Sequence, residues 1–360
     1  MSIDLARRDT ALPLDVVLDA GRLSDALGRR VEITRVRYKP GTSVVVAVRD
    51  AANGDGVGSH GWVAAYADAA KLAKTRMRAE RVGASVTTVP GAPGSLAGPL
   101  VADRALAERL RRSAPAGHVL RYNPHRRLVV RTDNDVVKIA ATDAGGGAIA
   151  RLLADAGLAV LPGAAVSDGV ERTPWWGRGD LATSPSPEAA VTTGRELARL
   201  HAVPVDAADV RQASDGDADL ATAAAAIGVL DRAAGARAER LASRVRAMPA
   251  GVRRAVVHGD FTADQVLVDH ADVRFIDFDR AGHGDPERDL GHFAAAELLA
   301  GRGSTGPLRS GYDLPVDESA VTRWTATAAL QRAVEPFRHG RADWAERLHL
   351  AIDIAEEAVA

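Results

Sequence analysis

The sequence predicts an α+β protein in two parts, with antiparallel hairpins in the first half and helices in the second. Three observations carry this. Short apolar runs alternate with turn residues from Val31 to Ala140, which is the pattern of hairpin strands. From Glu188 onward, Ala-, Leu- and Arg-rich stretches space their apolar residues at helical intervals. Between those stretches, residues 255–280 read as an apolar run, a polar loop and two strands around a turn. The 360 residues suffice for two or three layers of packed structure or for two lobes. The chain is 46% hydrophobic and 26% charged with net charge −1, which excludes the basic excess of a nucleic-acid binder. Cysteine is absent, so there is neither a disulfide framework nor a thiolate metal site. No apolar run reaches membrane-spanning length, and Met1–Arg8 lacks the apolar core of a signal peptide. The cytoplasm is the expected compartment, with no nucleic-acid or membrane partner; the oligomeric state is left open.

A short helix is expected over Leu14–Leu27. Val31–Val36 and Val44–Val48 read as strands around a Lys39-Pro40-Gly41 turn. Gly54–Gly61 is a polar loop, Trp62–Tyr66 a strand, and Ala69–Glu80 a helix with a basic outer face. Pro90–Pro99, rich in Gly and Pro, reads as a loop or the edge of a subdomain, and Asp103–Arg112 as a helix. A second hairpin runs from Val119–Tyr122 through Asn123–Arg127 to Leu128–Arg131, and a further strand follows at Val136–Ala140. Arg37-Tyr38-Lys39-Pro40 opens the turn of the first hairpin and Arg121-Tyr122-Asn123-Pro124 that of the second. The likeness fits either an old duplication or two hairpins that use proline in a similar turn.

Lys138 is the last of four lysines, after positions 39, 71 and 74. It is the one charge in Val136–Ala140 and projects opposite to Val137 and Ile139. By itself it reads as a snorkelling lysine on an edge strand. Gly145–Gly147 lead into a short helix, Ala148–Ala156, closed by Gly157. That helix has no glutamate; the nearby acids are Asp143 and Asp155. Pro174–Asp180 reads as a hinge, with Trp175 and Trp176 as candidates to stack on a base. Glu188–Ala202 is an amphipathic helix that ends in His201, expected to be a packed structural residue. Residues 205–250, 291–300 and 321–359 also read as helical. Asp313, Asp317 and Glu318 fit either an amine-bearing substrate or solvated loops.

The centre of the chain is Ala255–Arg280. An apolar run ends in His258-Gly259-Asp260, and Gln265 follows Asp260 by five residues. Val266–Val268 and Val273–Ile276 read as strands, the second ending in Asp277-Phe278-Asp279. Loop and strand end therefore carry Asp260, Gln265 and Asp277 toward one place. Two hard oxygen ligands beside a separate carboxylate suit Mg²⁺-assisted phosphoryl transfer. Read without the motif, Asp260 is a turn residue, and Asp277 and Asp279 are ordinary strand-end acids.

His258-Gly259-Asp260, Gln265 and Ile276-Asp277-Phe278-Asp279 resemble the catalytic segment of the aminoglycoside phosphotransferase and choline kinase superfamily. Its loop reads H-G-D-x-x-x-x-N, so Gln265 departs from the usual Asn, as in maltokinase-type relatives. Leu197–Ala202, and His283–Leu290 with its Gly-Asp-Pro, also resemble family segments. The resemblance implies a two-lobed protein-kinase-like fold. Residues 1–115 would be an added N-terminal cap, 116–180 the nucleotide-binding lobe and hinge, and 181–360 the helical lobe with the acceptor site. It implies ATP and Mg²⁺ as cofactors and a small polar acceptor with a hydroxyl group: a sugar, amino sugar or aminoglycoside. Asp260 would orient or accept the hydroxyl proton, Gln265 and Asp277 hold the metal, and Lys138 steady the α/β-phosphates. Arg126 and Arg127 stand where a kinase glycine-rich loop covers phosphates. His258 and Asp289 would support the loop. The family's helix glutamate, which pairs the strand lysine, is missing here. Two rivals remain open: a nucleotide-binding pseudokinase, and a Mg²⁺-dependent phosphohydrolase using the same acids.

Overall fold

The computed structural model describes residues 3–113, 115–142, 145–204, 210–213, 216–249 and 251–360. The chain divides into two compact units. One comprises Met1–Asp143, Ala164–Trp175 and Glu335–Trp344; the other comprises Ala144–Gly163, Trp176–Val334 and Ala345–Ala360. Among the described residues no helix is long and apolar enough to cross a membrane.

In the first unit, α1 (Ile3–Arg8), α2 (Leu14–Val17) and α3 (Ala20–Leu27) precede a sheet. The single helix expected over Leu14–Leu27 is broken at Leu18 and Asp19. Asp19 takes extended backbone and accepts a hydrogen bond from the Arg22 N–H at 3.0 Å, which caps α3 and ends α2. Then come β1 (Val31–Lys39), β2 (Ser43–Asp50), β3 (His60–Tyr66), α4 (Ala69–Arg81), β4 (Thr87–Thr88) and β5 (Ser95–Pro99). The strand order is β1-β2-β3-β5-β4, antiparallel throughout. β5 occupies the second half of the stretch expected to be a loop or the edge of a subdomain. Gly98 is there for packing rather than for a turn: a Cβ on it would meet the Trp62 indole at 2.7 Å.

After α5 (Ala107–Ser113) comes a second sheet of β6 (His118–Asn123), β7 (Arg127–Arg131), β8 (Asp135–Ala140), β9 (Ala164–Ser167) and β10 (Val170–Pro174). Its order is β6-β7-β8-β10-β9. The two sheets share one topology: a three-stranded meander, a stretch containing a helix, and a hairpin that pairs back onto the third strand. This extends the hairpin likeness to whole sheets and favours duplication over a repeated proline turn. Trp62, Ala64 and Leu96 of the first sheet share a core with Leu128, Val130, Ile139 and Val170 of the second. Trp62, Leu128 and Ile139 are fully buried, and side chains of this size contribute about 1.5–3 kcal/mol each on burial.

The second unit holds α6 (Gly146–Asp155), β11 (Gly179–Asp180) and α7 (Pro187–Ala202), whose first turn is fixed by Ser186 and Pro187. It continues with α8 (Gly216–Leu230), α9 (Arg232–Arg246), β12 (Ala255–Val257), β13 (Val266–Asp269), β14 (Asp272–Phe275) and β15 (Gly282–Gly284). Then follow α10 (Glu287–Ala300), α11 (Thr305–Gly311) and α12 (Glu318–Arg332). β11, β13 and β14 form one small sheet, and β12 pairs with β15. Phe261, Val266, Phe275, Leu290 and Phe293 are buried among the helices. The short α13 (Glu335–Arg338) belongs to the first unit, where Glu335 pairs with Arg35 of β1 at 3.0 Å. α14 (Trp344–Ala358) ends the chain.

Candidate active site

The His258–Asp260 loop is fastened from several sides. Asp289, fully buried in the first turn of α10, accepts hydrogen bonds from the His258 N–H at 2.7 Å and the Gly259 N–H at 2.8 Å. The same carboxylate contacts His201 Nε2 at 3.1 Å, and His201 Nδ1 meets the Tyr312 hydroxyl at 2.8 Å. Burial alone would raise the Asp289 carboxyl; the bond with His201 and the nearby imidazoles and amides outweigh it and hold the group ionised. His258 is buried between Phe261 and Phe278, and its Nε2 meets the Ile276 carbonyl at 2.8 Å. Arg288 Nε donates to the Gly259 carbonyl at 3.2 Å. Gly259 has φ +82°, and a Cβ there would lie 2.3 Å from the Arg280 carbonyl oxygen, so no other residue fits.

This framework presents Asp260 beside cations. Arg332 donates to its Oδ1 at 3.0 Å, His292 Nδ1 lies 3.6 Å from the same oxygen, and Arg280 Nε lies 3.8 Å from Oδ2. Burial opposes ionisation of Asp260, but His292, Arg332 and Arg280 outweigh it and push its pKa well below the usual carboxylate range. His292 is itself fully buried, and that burial lowers its pKa and favours the neutral imidazole.

The β13–β14 hairpin sets Gln265 beside Ile276, the residue before Asp277: the Ile276 N–H donates to the Gln265 carbonyl at 3.1 Å. Asp277 is half-buried and has φ +64°, ψ +55°, a left-handed conformation unusual for a non-glycine residue. Strain of this kind persists where surroundings hold a side chain in one direction. The Gln265 Nε2 donates to Asp264 at 3.4 Å, leaving its Oε1 as the acceptor atom. One carboxylate and one amide oxygen fit Mg²⁺, which takes few protein ligands and completes its shell with water and phosphate. Among the described residues no cluster of three or more His, Cys, Asp or Glu could form a dedicated metal cage.

In the first unit, Lys138 sits on β8 between Val137 and Ile139, which are 5% and 0% exposed, and is itself only half-buried. The Asn123–Arg127 turn has no glycine, and His125 adopts φ +64° in its place. The His125 N–H donates to Asp103 Oδ2 at 2.7 Å, and the Arg126 N–H donates to the Asn123 carbonyl at 3.0 Å. These two amides are therefore used within the protein. Arg126 is exposed, and Arg37, which donates to the Pro124 carbonyl at 2.6 Å, is lowered in pKa by burial and then by Arg126 and Arg104. Asp103 is fully buried and also binds the Tyr122 hydroxyl at 2.8 Å and His125 Nδ1 at 3.1 Å.

The other candidates make contacts of their own. Arg131 covers the Trp175 ring at 3.8 Å, and Arg274 lies 5.2 Å from that of Trp176. Asp317 caps α12 through the Ser319 and Ala320 amides, and Glu318 pairs with Arg309. Asp143 lies outside the described residues. Arg332 and His292 have no motif in the sequence. His292 was reachable, since it follows Asp289 by three residues on one helix; only packing brings Arg332 to the loop.

A family model described as the phosphotransferase enzyme family matches residues 104–314. Among curated proteins no match was found. The chain is similar in fold to a spectinomycin phosphotransferase in complex with ADP and spectinomycin, with 14% identity and TM-score 0.51 over 68% of this chain and 93% of that one. It is also similar to an amicoumacin kinase in complex with AMP-PNP, Ca²⁺ and Ami, with 14% identity and TM-score 0.50 over 70% and 93%. Likeness at these identities speaks to fold alone, and that fold is the two-lobed kinase-like one, with an antiparallel N-terminal lobe and a helical C-terminal lobe.

Proposed function

The chain belongs to the phosphotransferase enzyme family, and from that premise we propose that it moves the γ-phosphate of ATP to a hydroxyl group of a sugar, amino sugar or aminoglycoside. What supports this reading is the Asp260 loop, fastened by Asp289 and joined through His258 and Ile276 to the hairpin that bears Gln265 and Asp277. Asp260 orients the acceptor hydroxyl and takes its proton as the acceptor oxygen bonds to the γ-phosphorus and the bond to the β–γ bridging oxygen breaks, releasing ADP. Arg332 and Arg280 keep Asp260 ionised and so available as the acceptor of that proton. Gln265 Oε1 and the Asp277 carboxylate would hold Mg²⁺, and the chemistry it would supply there is neutralisation of phosphate charge. Lys138 steadies the α/β-phosphates, with Arg126 and Arg127 at the neighbouring turn supplying further positive charge. His258 and Asp289 shape the loop without touching substrate. Such a site contributes alignment and charge neutralisation, which is most of what phosphoryl transfer requires.

The test is a mass-spectrometric screen of sugars, amino sugars and aminoglycosides with Mg²⁺ and ATP. A phosphorylated acceptor is expected with the native chain. With Asp260→Asn the rate should fall by about 10²–10⁴, the usual range for removing a general base, while nucleotide binding persists. Phosphate release without any phosphorylated acceptor would replace this reading with a hydrolase.

A further inference from the structure

In the second sheet, β8 and β10 are antiparallel neighbours with Ile139 opposite Val170, Lys138 opposite Glu171, and Val137 opposite Arg172. We propose that Glu171 is the positioning residue for Lys138, holding its ammonium for the nucleotide phosphates; this rests on the reading that Lys138 binds ATP.

Directly opposed residues in an antiparallel pair share a face, with Cβ atoms about 4.5–5.5 Å apart. Val137 and Ile139 point into the core shared with the first sheet. Lys138 and Glu171 therefore stand together on the other face, and both are half-buried. The row they occupy crosses four strands. Val129 of β7 lies opposite Lys138 on its far side, and Ala165 of β9 lies opposite Glu171 on its far side. The flanking members are apolar, so within the row each charge has the other as its complement. A half-desolvated ammonium needs an anionic neighbour, and neither residue stands alone in the structure. An ammonium has three donors, so a bond to Glu171 leaves donors for phosphate oxygens.

The arrangement also accounts for α6. That helix, Gly-Gly-Ala-Ile-Ala-Arg-Leu-Leu-Ala-Asp, has no glutamate to offer. With the acid on β10, the lysine is held by the hydrogen-bond register of the sheet. Its placement then does not depend on the position of a helix.

The test compares Lys138→Met, Glu171→Gln, Glu171→Asp and the double variant Lys138→Met/Glu171→Gln, with steady-state kinetics for both substrates and thermal melts. Glu171→Gln should raise the KM for ATP about tenfold, as a coupling of intermediate size does, with the acceptor KM nearly unchanged. Glu171→Asp, which keeps the charge on a shorter arm, should fall between. Adding Glu171→Gln to Lys138→Met should change nothing further, because the residue acts through the lysine. Melts that match the native protein separate this effect from general destabilisation. If Lys138→Met is impaired but Glu171→Gln is normal, or if the two effects multiply in the double variant, the positioning role is wrong and the nucleotide reading stands. If Lys138→Met leaves the ATP kinetics alone, the nucleotide reading fails first and the positioning role with it.

Discussion

At Asp260, three cationic or proton-bearing groups converge on one half-exposed carboxylate, and the nearest is Arg332 at 3.0 Å. A base acts only when ionised, and a depressed pKa keeps Asp260 ionised as pH falls well below neutrality. Arg332→Met removes a charge that holds the pKa down. The pKa should then rise toward the ordinary carboxylate value, and the acid limb of the kcat/KM profile should move to higher pH. A limb that stays in place would remove Arg332 from the electrostatics of the base. As proposed site residues, Asp260, Gln265 and Asp277 were visible in the sequence because they lie on one loop and hairpin with fixed spacing. Arg332 was not, because it lies on α12 and reaches the loop only through tertiary packing.

Among the elements, the turn between β6 and β7 depends most on a single side chain. Asp103 is buried and accepts from the Tyr122 hydroxyl, the His125 and Ala105 amides and the His125 ring. Asp103→Ala would strand these donors, and each buried unsatisfied group costs about 1–3 kcal/mol. Urea denaturation should show a loss of several kcal/mol, the scale set when two or more of these four groups stay unsatisfied, and Tyr122→Phe a smaller one. A loss under about 0.5 kcal/mol, the scatter of ordinary surface changes, would mean that water satisfies the donors. The pH direction follows from the same contacts. Burial opposes the charge of Asp103, and its bonds with His125 outweigh burial and lower its pKa. Its contribution is present above the unfolded carboxylate pKa and is lost as pH falls through the lower folded value. Strands with regular Val alternation were readable; β5 and β10 were not. Gly98 and Pro99 in β5, and Glu171, Arg172 and Pro174 in β10, look like loop residues until their neighbours are known.

For the whole molecule, nucleotide binding should appear as stability. A ligand that binds only the folded state stabilises by about 2.7 kcal/mol at a hundredfold excess over Kd. Mg²⁺ with ATP should therefore raise Tm, and Asp277→Ala should erase the metal-dependent part of the rise. An equal rise in the native protein and the variant, with and without metal, would show that Asp277 holds no metal. The two-part α+β architecture was readable from the change in periodicity along the chain. The complete first sheet was not, since its match to the second emerges from strand order rather than from residue identity.

That repeated strand order sets the chain a sorting problem while it folds. Two sheets of one topology can exchange strands, a hazard of the kind that misassembles repeat proteins. The third strands are the ones to be told apart, and their burial differs sharply. All seven residues of β3 are buried, whereas in β8 Val137 and Ile139 are buried and Lys138 is not. β8 placed in the first sheet would bury its lysine within a strand that has no exposed face. β3 placed in the second would bring bulky Trp62 or Val63 onto the half-open face. The charge proposed to steady a phosphate would then also serve as an address label, telling the chain which of two similar sheets the strand belongs to.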